Sequence, residues 1–242
     1  ILELERCLGA LKEERSLLQD RLATYAYPVL TLPNEIVSEI FIHFLPEYPK
    51  RPPPIGLLSP YLLCHICRQW RSIAFATPAL WRAVSLSLTK GGKLPQKLRY
   101  LSISLERSGS CLLSLKLKSY DTSKLAHLRQ MIIDHCARWE YLELPGGSSN
   151  YLPDVKLPLP FLRSFKGWGF LEGLTVAPLA APSLRHLYLA VYYDRYSPIF
   201  PWSQLTVVCM SRITLDQYSY LVNQLVNVVT CRLGVDPIGE LR

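Results

Sequence analysis

Two thiols and an imidazole fall within one helical turn at Cys64-His65-Ile66-Cys67, and these are the side chains a zinc ion prefers. A structural zinc site needs four ligands, usually as two spaced pairs, and the sequence holds no second Cys-x-x-Cys and no His-x-x-x-His. No metal is expected, and Cys67, on the helical face of Leu63 and Trp70, reads as a small core residue. Gly167-Trp168-Gly169 with Gly173 misses the dinucleotide-binding fingerprint by one residue and reads as a loop. Phosphate-loop, nucleophile-elbow and zinc-protease patterns are absent from the sequence. His127 and His135 share one expected helix, without a carboxylate pair or a nucleophilic cysteine pattern beside them. No catalytic residue and no cofactor are expected, so the chain reads as a non-enzyme.

What remains is binding, and charge points to where. Between Lys50 and Lys118 there are twelve Lys/Arg and one acid, Glu106, a local +11; with a net charge of +8 the rest sums to 8 − 11 = −3. Such a segment suits nucleic acid or an acidic protein. For nucleic acid, Lys90, Lys93, Lys97, Arg99, Arg107, Lys116 and Lys118 would track phosphates, but only Tyr100 and Tyr120 interleave as stacking platforms. Nucleic-acid binding by residues 50–118 is therefore kept as the alternative to protein binding. No apolar run reaches the roughly 18 residues a membrane helix requires. Seven scattered cysteines with no Asn-x-Ser/Thr acceptor read as a reduced protein of cytoplasm or nucleus.

These residues need elements to position them. Ile1, Leu4, Leu8, Leu11, Leu18, Leu22 and Tyr25 recur at three- and four-residue steps, with Arg15 at one seam position, predicting an N-terminal helix over 1–27. A coiled-coil seam, packing on its own domain and a partly free arm are all open to it. Pro33 at a first-turn position followed by Asn34-Glu35 predicts a second helix, ended by Pro46. Pro46 to Pro54 reads as a stiff polyproline-like connection. Ser59-Pro60 caps a third helix carrying Leu62, Leu63, Ile66, Trp70 and Ile73, and Thr77-Pro78 caps a last short turn.

From Trp81 onward an apolar-x-x-apolar-x-apolar pattern recurs. Its members are Trp81/Val84/Leu86, Leu112/Leu115/Leu117, Trp139/Leu142/Leu144, Leu162/Phe165, Leu184/Leu187/Leu189, Leu205/Val208/Met210 and Val228/Cys231/Leu233. The intervals are 31, 27, 23, 22, 21 and 23 residues, and all but the first fit leucine-rich repeats of roughly 20 to 29 residues. The pattern predicts an irregular solenoid over 83–242, a curved parallel sheet whose strands are buried by their crossovers. The first two intervals carry helical patterns, Leu94 to Arg107 and Ser123 to Ala137. The later ones, richer in Pro and Gly, leave room only for a turn or short helix. No polar cap follows the last repeat, so the natural chain is expected to run on beyond Arg242.

Residues 28–82 resemble the F-box. The resemblance rests on Leu32-Pro33-Asn34-Glu35-Ile36, Ile40-Phe41, Cys67-Arg68-Gln69-Trp70-Arg71 and Thr77-Pro78-Ala79-Leu80-Trp81 in combination. With Ser104 to Ser110 followed by Leu113-Ser114-Leu115, the chain is similar to fungal F-box proteins with a degenerate leucine-rich-repeat tail. The proline-rich insert is longer than in a minimal F-box. The resemblance implies an α/β chain: an N-terminal helix, a three-helix F-box-like module, then the repeat solenoid. It implies a substrate-recognition adaptor of a Skp/cullin/F-box ubiquitin ligase, with a Skp-type adaptor and an unidentified client protein as partners.

Fifty residues in three short helices have little interior, so part of their apolar surface is expected at an interface. The adaptor-contact set is Leu32, Pro33, Ile36, Ile40, Phe41, Leu63, Cys67 and Trp70. Packing of these residues on the first repeat or the N-terminal helix is the competing reading, and it weighs most for Trp70 and Trp81. The cluster Tyr188, Tyr192, Tyr193, Tyr196, Phe200 and Trp202 offers a client surface, with Tyr192, Arg195 and Tyr196 at outward positions.

Overall fold

A computed structural model describes residues 2–24, 31–88, 94–118, 128, 130–144, 158–168, 179–190 and 200–235. The chain divides into two compact units, residues 1–40 and 41–242. The first holds helix α1, Leu2–Thr24, and the start of α2, Asn34–Phe44. Pro33 precedes α2 and its carbonyl accepts the Val37 N–H at 3.1 Å, so it stands at the N-cap and not, as expected, in the first turn. Pro28, the expected stop of α1, lies outside the described residues. Within those residues no helix is long and apolar enough to cross a membrane.

The second unit is organised by seven parallel strands: β1 Ala83–Ser87, β2 Leu113–Lys118, β3 Trp139–Leu144, β4 Ser164–Trp168, β5 His186–Ala190, β6 Val207–Ile213 and β7 Thr230–Val235. Each strand pairs only with its sequence neighbours, in the order β1 to β7. The protein is therefore α/β with an all-parallel open sheet, and the seven recurrences of the apolar pattern are the seven strands among the described residues. Register carries Val84, Leu115, Leu142, Phe165, Leu187, Val208 and Cys231 into one cross-strand row. From Val84 to Val208 that row is buried in one continuous core. The side chains alternate along each strand, so the intervening residues line the opposite face.

Two recurrences differ in detail from the sequence reading. A register shift between Leu113 and Ser114 sets Leu113, not Leu112, opposite Trp139. Gly167, expected in a loop with Trp168, lies in β4 opposite Leu144 and Leu189, where other strands carry a large apolar side chain. A Cβ at Gly167 would sit 3.2 Å from Phe165 Cε1, because the Phe165 ring fills the space the missing side chain would take. Gly167→Leu should therefore cost about 2 kcal/mol through overpacking. Phe165→Leu in the same chain should recover most of that loss. Urea midpoints for Gly167→Leu, Phe165→Leu and the double variant check this, and a harmless Gly167→Leu would refute the filling role of Phe165.

Crossovers cover the apolar face. Helix α5, Leu94–Arg107, spans the expected range and buries Leu101 and Leu105. In the second crossover Leu128 and Ile132 are buried. The last crossover departs from expectation: it contains α6, Leu215–Gln224, opened by a reciprocal capping box between Thr214 and Gln217. Residues 214–227 contain neither Pro nor Gly, so nothing there opposes a full helix.

The expected helix from Pro60 to Ile73 is two helices, α3 Pro60–Ile66 and α4 Arg68–Phe75. Ser59 accepts the Tyr61 N–H as its N-cap. At Cys67 the backbone turns extended, φ −152° and ψ 172°, and its Sγ accepts the Trp70 N–H at 3.4 Å. Cys67 is thus a helix-capping, half-buried residue and not part of a continuous helical face. Arg71 Nε donates to the Cys64 carbonyl at 2.7 Å across the break, which satisfies a carbonyl the interruption would leave free. A short 3-10 turn, Pro78–Leu80, then leads to Trp81, whose Nε1 donates to the Ala74 carbonyl at 2.8 Å.

Candidate partner-binding surfaces

Along α2, Pro33, Ile36 and Ile40 share one side at steps of three and four. All three are exposed, Ile36 by 49% and Ile40 by 45%, while Leu32 is half-buried. Val37 and Phe41 are buried. Exposed apolar side chains in a row on a short helix are what a partner can cover.

The other adaptor residues from the sequence lie in the second unit and divide differently. Phe41 is 0% and Leu63 3% exposed, so neither offers surface; the contact expected of them is corrected to a supporting role. Phe41 packs edge-on against Trp70 with ring centroids 4.9 Å apart. Trp70 and Cys67 are half-buried. Trp81 is core, between Tyr61 at 5.1 Å and Phe75 at 5.8 Å.

The proline-rich insert is more than a connection. It lies along the face of β1–β3 opposite the apolar core and is tied there by side chains the sequence reading did not single out. Ser114 Oγ donates to the Pro49 carbonyl at 2.8 Å. Tyr48 donates its hydroxyl to Glu140 Oε2 at 2.8 Å, its ring meets Tyr141, and Arg82 stacks over it at 3.9 Å. Arg51 reaches Glu143 Oε2 and the Leu115 carbonyl, both at 3.1 Å. Lys116 pairs with the other Glu143 oxygen, and Arg163 with Glu140 Oε1 at 3.2 Å. Acids at two strand positions, Glu140 and Glu143, were the sequence signal for this clasp.

Each oxygen of the two buried carboxylates is thus engaged by a cation or a hydroxyl. Burial, reinforced by the Glu140 carboxylate, holds the Tyr48 phenol far above its ordinary range, so it stays a donor. Burial draws the Arg51 guanidinium down, and the neighbouring Glu143 opposes that shift. The carboxylates are held in a structural clasp, in which the buried Arg51 Nε is the one nitrogen of that side chain with no hydrogen-bond partner.

Beyond the clasp, the same face of β4–β7 carries Lys166, His186, Tyr188, Cys209 and Arg232. Lys166 Nζ lies 4.4 Å from the Tyr188 ring centroid. Phe200 and Trp202 are buried, so the aromatic cluster divides, with these two in the core. Tyr192, Tyr193, Arg195 and Tyr196 lie outside the described residues.

The chain matches no known family model, no characterised protein and no solved structure. Cys64 is buried, Cys67 caps α4, and His65 Nδ1 donates to the Tyr61 carbonyl at 2.6 Å. The three are therefore committed to local structure, and among the described residues no group of three His, Cys, Asp or Glu side chains could hold a metal ion.

Proposed function

We propose that the chain is a non-catalytic substrate-recognition subunit of a Skp/cullin/F-box ubiquitin ligase, its F-box-like segment binding the Skp-type adaptor and its repeats capturing a client protein. The observation that carries this reading is the exposed apolar stripe Pro33, Ile36 and Ile40 on α2. It lies within the Leu-Pro-x-Glu-Ile sequence on which the F-box resemblance rests. Burying two isoleucines and a proline against a partner supplies several kcal/mol of hydrophobic contact, and the basic segment that follows favours an acidic adaptor by steering. The strands recur at leucine-rich-repeat spacing and pair in sequence order, which supports reading them as such repeats. In this reading the client contact is carried by the polar face of β4–β7 together with Tyr192, Arg195 and Tyr196.

Replacing Leu32 and Pro33 together with alanine tests the reading. Recovery of a Skp-type adaptor in a pull-down should fall to background while the circular dichroism of the sheet is unchanged. Undiminished recovery would remove the F-box assignment.

A further inference from the structure

Leu101 and Leu105 of α5 point into the core, while Gln96, Arg99, Tyr100 and Ile103 form a second, mixed stripe at steps of three, one and three. That stripe is one wall of an open groove of about 560 Å³. The opposite wall is the outer side of α3, with Tyr61, Leu62 and His65, closed at one end by Pro54 and Ile55. Tyr61 and Tyr100 meet at the floor with ring centroids 5.7 Å apart. Leu62 is 37% and Ile55 86% exposed, so apolar side chains stand in solvent along the rim.

Charge selects the occupant. The groove is built entirely from a stretch without a single acid, since none lies between Glu47 and Glu106. Among the described residues Arg99 makes no ion pair and is exposed at the lip. The His65 Nδ1 bond to Tyr61 leaves Nε2 at the surface. From Gln96 to Ile103 the wall runs about 10 Å at the rise of an α-helix, enough for two turns of a third helix seated between two others.

We propose that this groove docks an amphipathic helix of a partner protein, with two or three apolar side chains over Tyr100, Ile103 and Leu62 and a carboxylate on Arg99. The site is separate from the Pro33, Ile36 and Ile40 stripe and does not depend on the ligase reading. On α3 it uses Tyr61, Leu62 and His65, whereas Leu63 faces the interior.

The probe is a fluorescein-labelled amphipathic peptide of about fourteen residues, leucine at steps of three and four and glutamate elsewhere, titrated into the full chain without adaptor. It should bind saturably, and about tenfold or more tighter than its lysine-for-glutamate counterpart. Arg99→Glu should weaken the acidic peptide by at least about tenfold and leave the melting temperature unchanged, because Arg99 is exposed and makes no ion pair among the described residues. Ile103→Asp provides a second route to the same loss. Leu32→Ala with Pro33→Ala should leave the peptide affinity intact, which separates failure of the groove from failure of the adaptor reading. No saturable binding, equal affinity for the two peptides, or indifference to Arg99→Glu would overturn the proposal.

Discussion

Glu143→Ala should destabilise the second unit by about 3 kcal/mol, the loss expected when one member of a buried charge cluster is removed. The Glu143 side chain is 8% exposed and stands between Arg51 at 3.1 Å and Lys116. Without it two cations face each other in a partly desolvated site, and the insert loses the anchor that holds Arg51 over β2 and β3. Urea denaturation gives the stability change. Tryptic cleavage after Lys50, an exposed residue in the insert, reports the local release and should accelerate. Arg51→Ala should cost less, since Lys116 still neutralises Glu143. The double substitution should fall short of the sum of the singles by about 1 kcal/mol or more. Additive singles of under about 1 kcal/mol each would mean that the clasp does not hold the insert.

Ile36→Asp combined with Ile40→Asp should abolish adaptor binding, weakening it by at least about a hundredfold. Each exposed isoleucine on α2 would be buried by the partner, and a carboxylate in its place would be desolvated without a counter-charge. Folding should be retained because both positions are solvent-exposed; an unchanged urea midpoint is the control. Phe41→Asp, by contrast, should unfold its surroundings, since Phe41 is fully buried against Trp70. Isothermal titration with purified adaptor separates the two classes. Binding that survives the double aspartate would place the contact elsewhere on the chain.

Much of the fold was legible because it is local and periodic. The apolar pattern identified the strands through a two-residue alternation that survives wide variation in the crossovers. Prolines at 33, 60 and 78 marked the starts of α2, α3 and the turn before Trp81, each at a place where the missing N–H costs nothing. Cys67 was misread because α4 restarts close to the register of α3, so Leu63, Ile66, Trp70 and Ile73 keep helical spacing across a break that only the backbone reveals. Gly167 was misread because its compensation is a neighbour's ring, a packing fact with no signature in spacing. Of the clasp only the two strand acids were legible: Tyr48 and Arg51 each bond an acid 92 residues away, and pairing over that distance follows from the stacking of the strands. Of the residues proposed for adaptor contact, the α2 stripe is accessible, but Phe41 and Leu63 show that helical periodicity marks apolar faces without telling inward from outward.

Adaptor recruitment is read from the mass of the species formed when the purified chain is mixed with purified Skp-type adaptor. Size-exclusion chromatography with light scattering should show a one-to-one complex that is lost in the Ile36→Asp, Ile40→Asp variant. Two separately eluting proteins from the wild-type mixture, at concentrations of tens of micromolar where an interface of ordinary size forms, would contradict it.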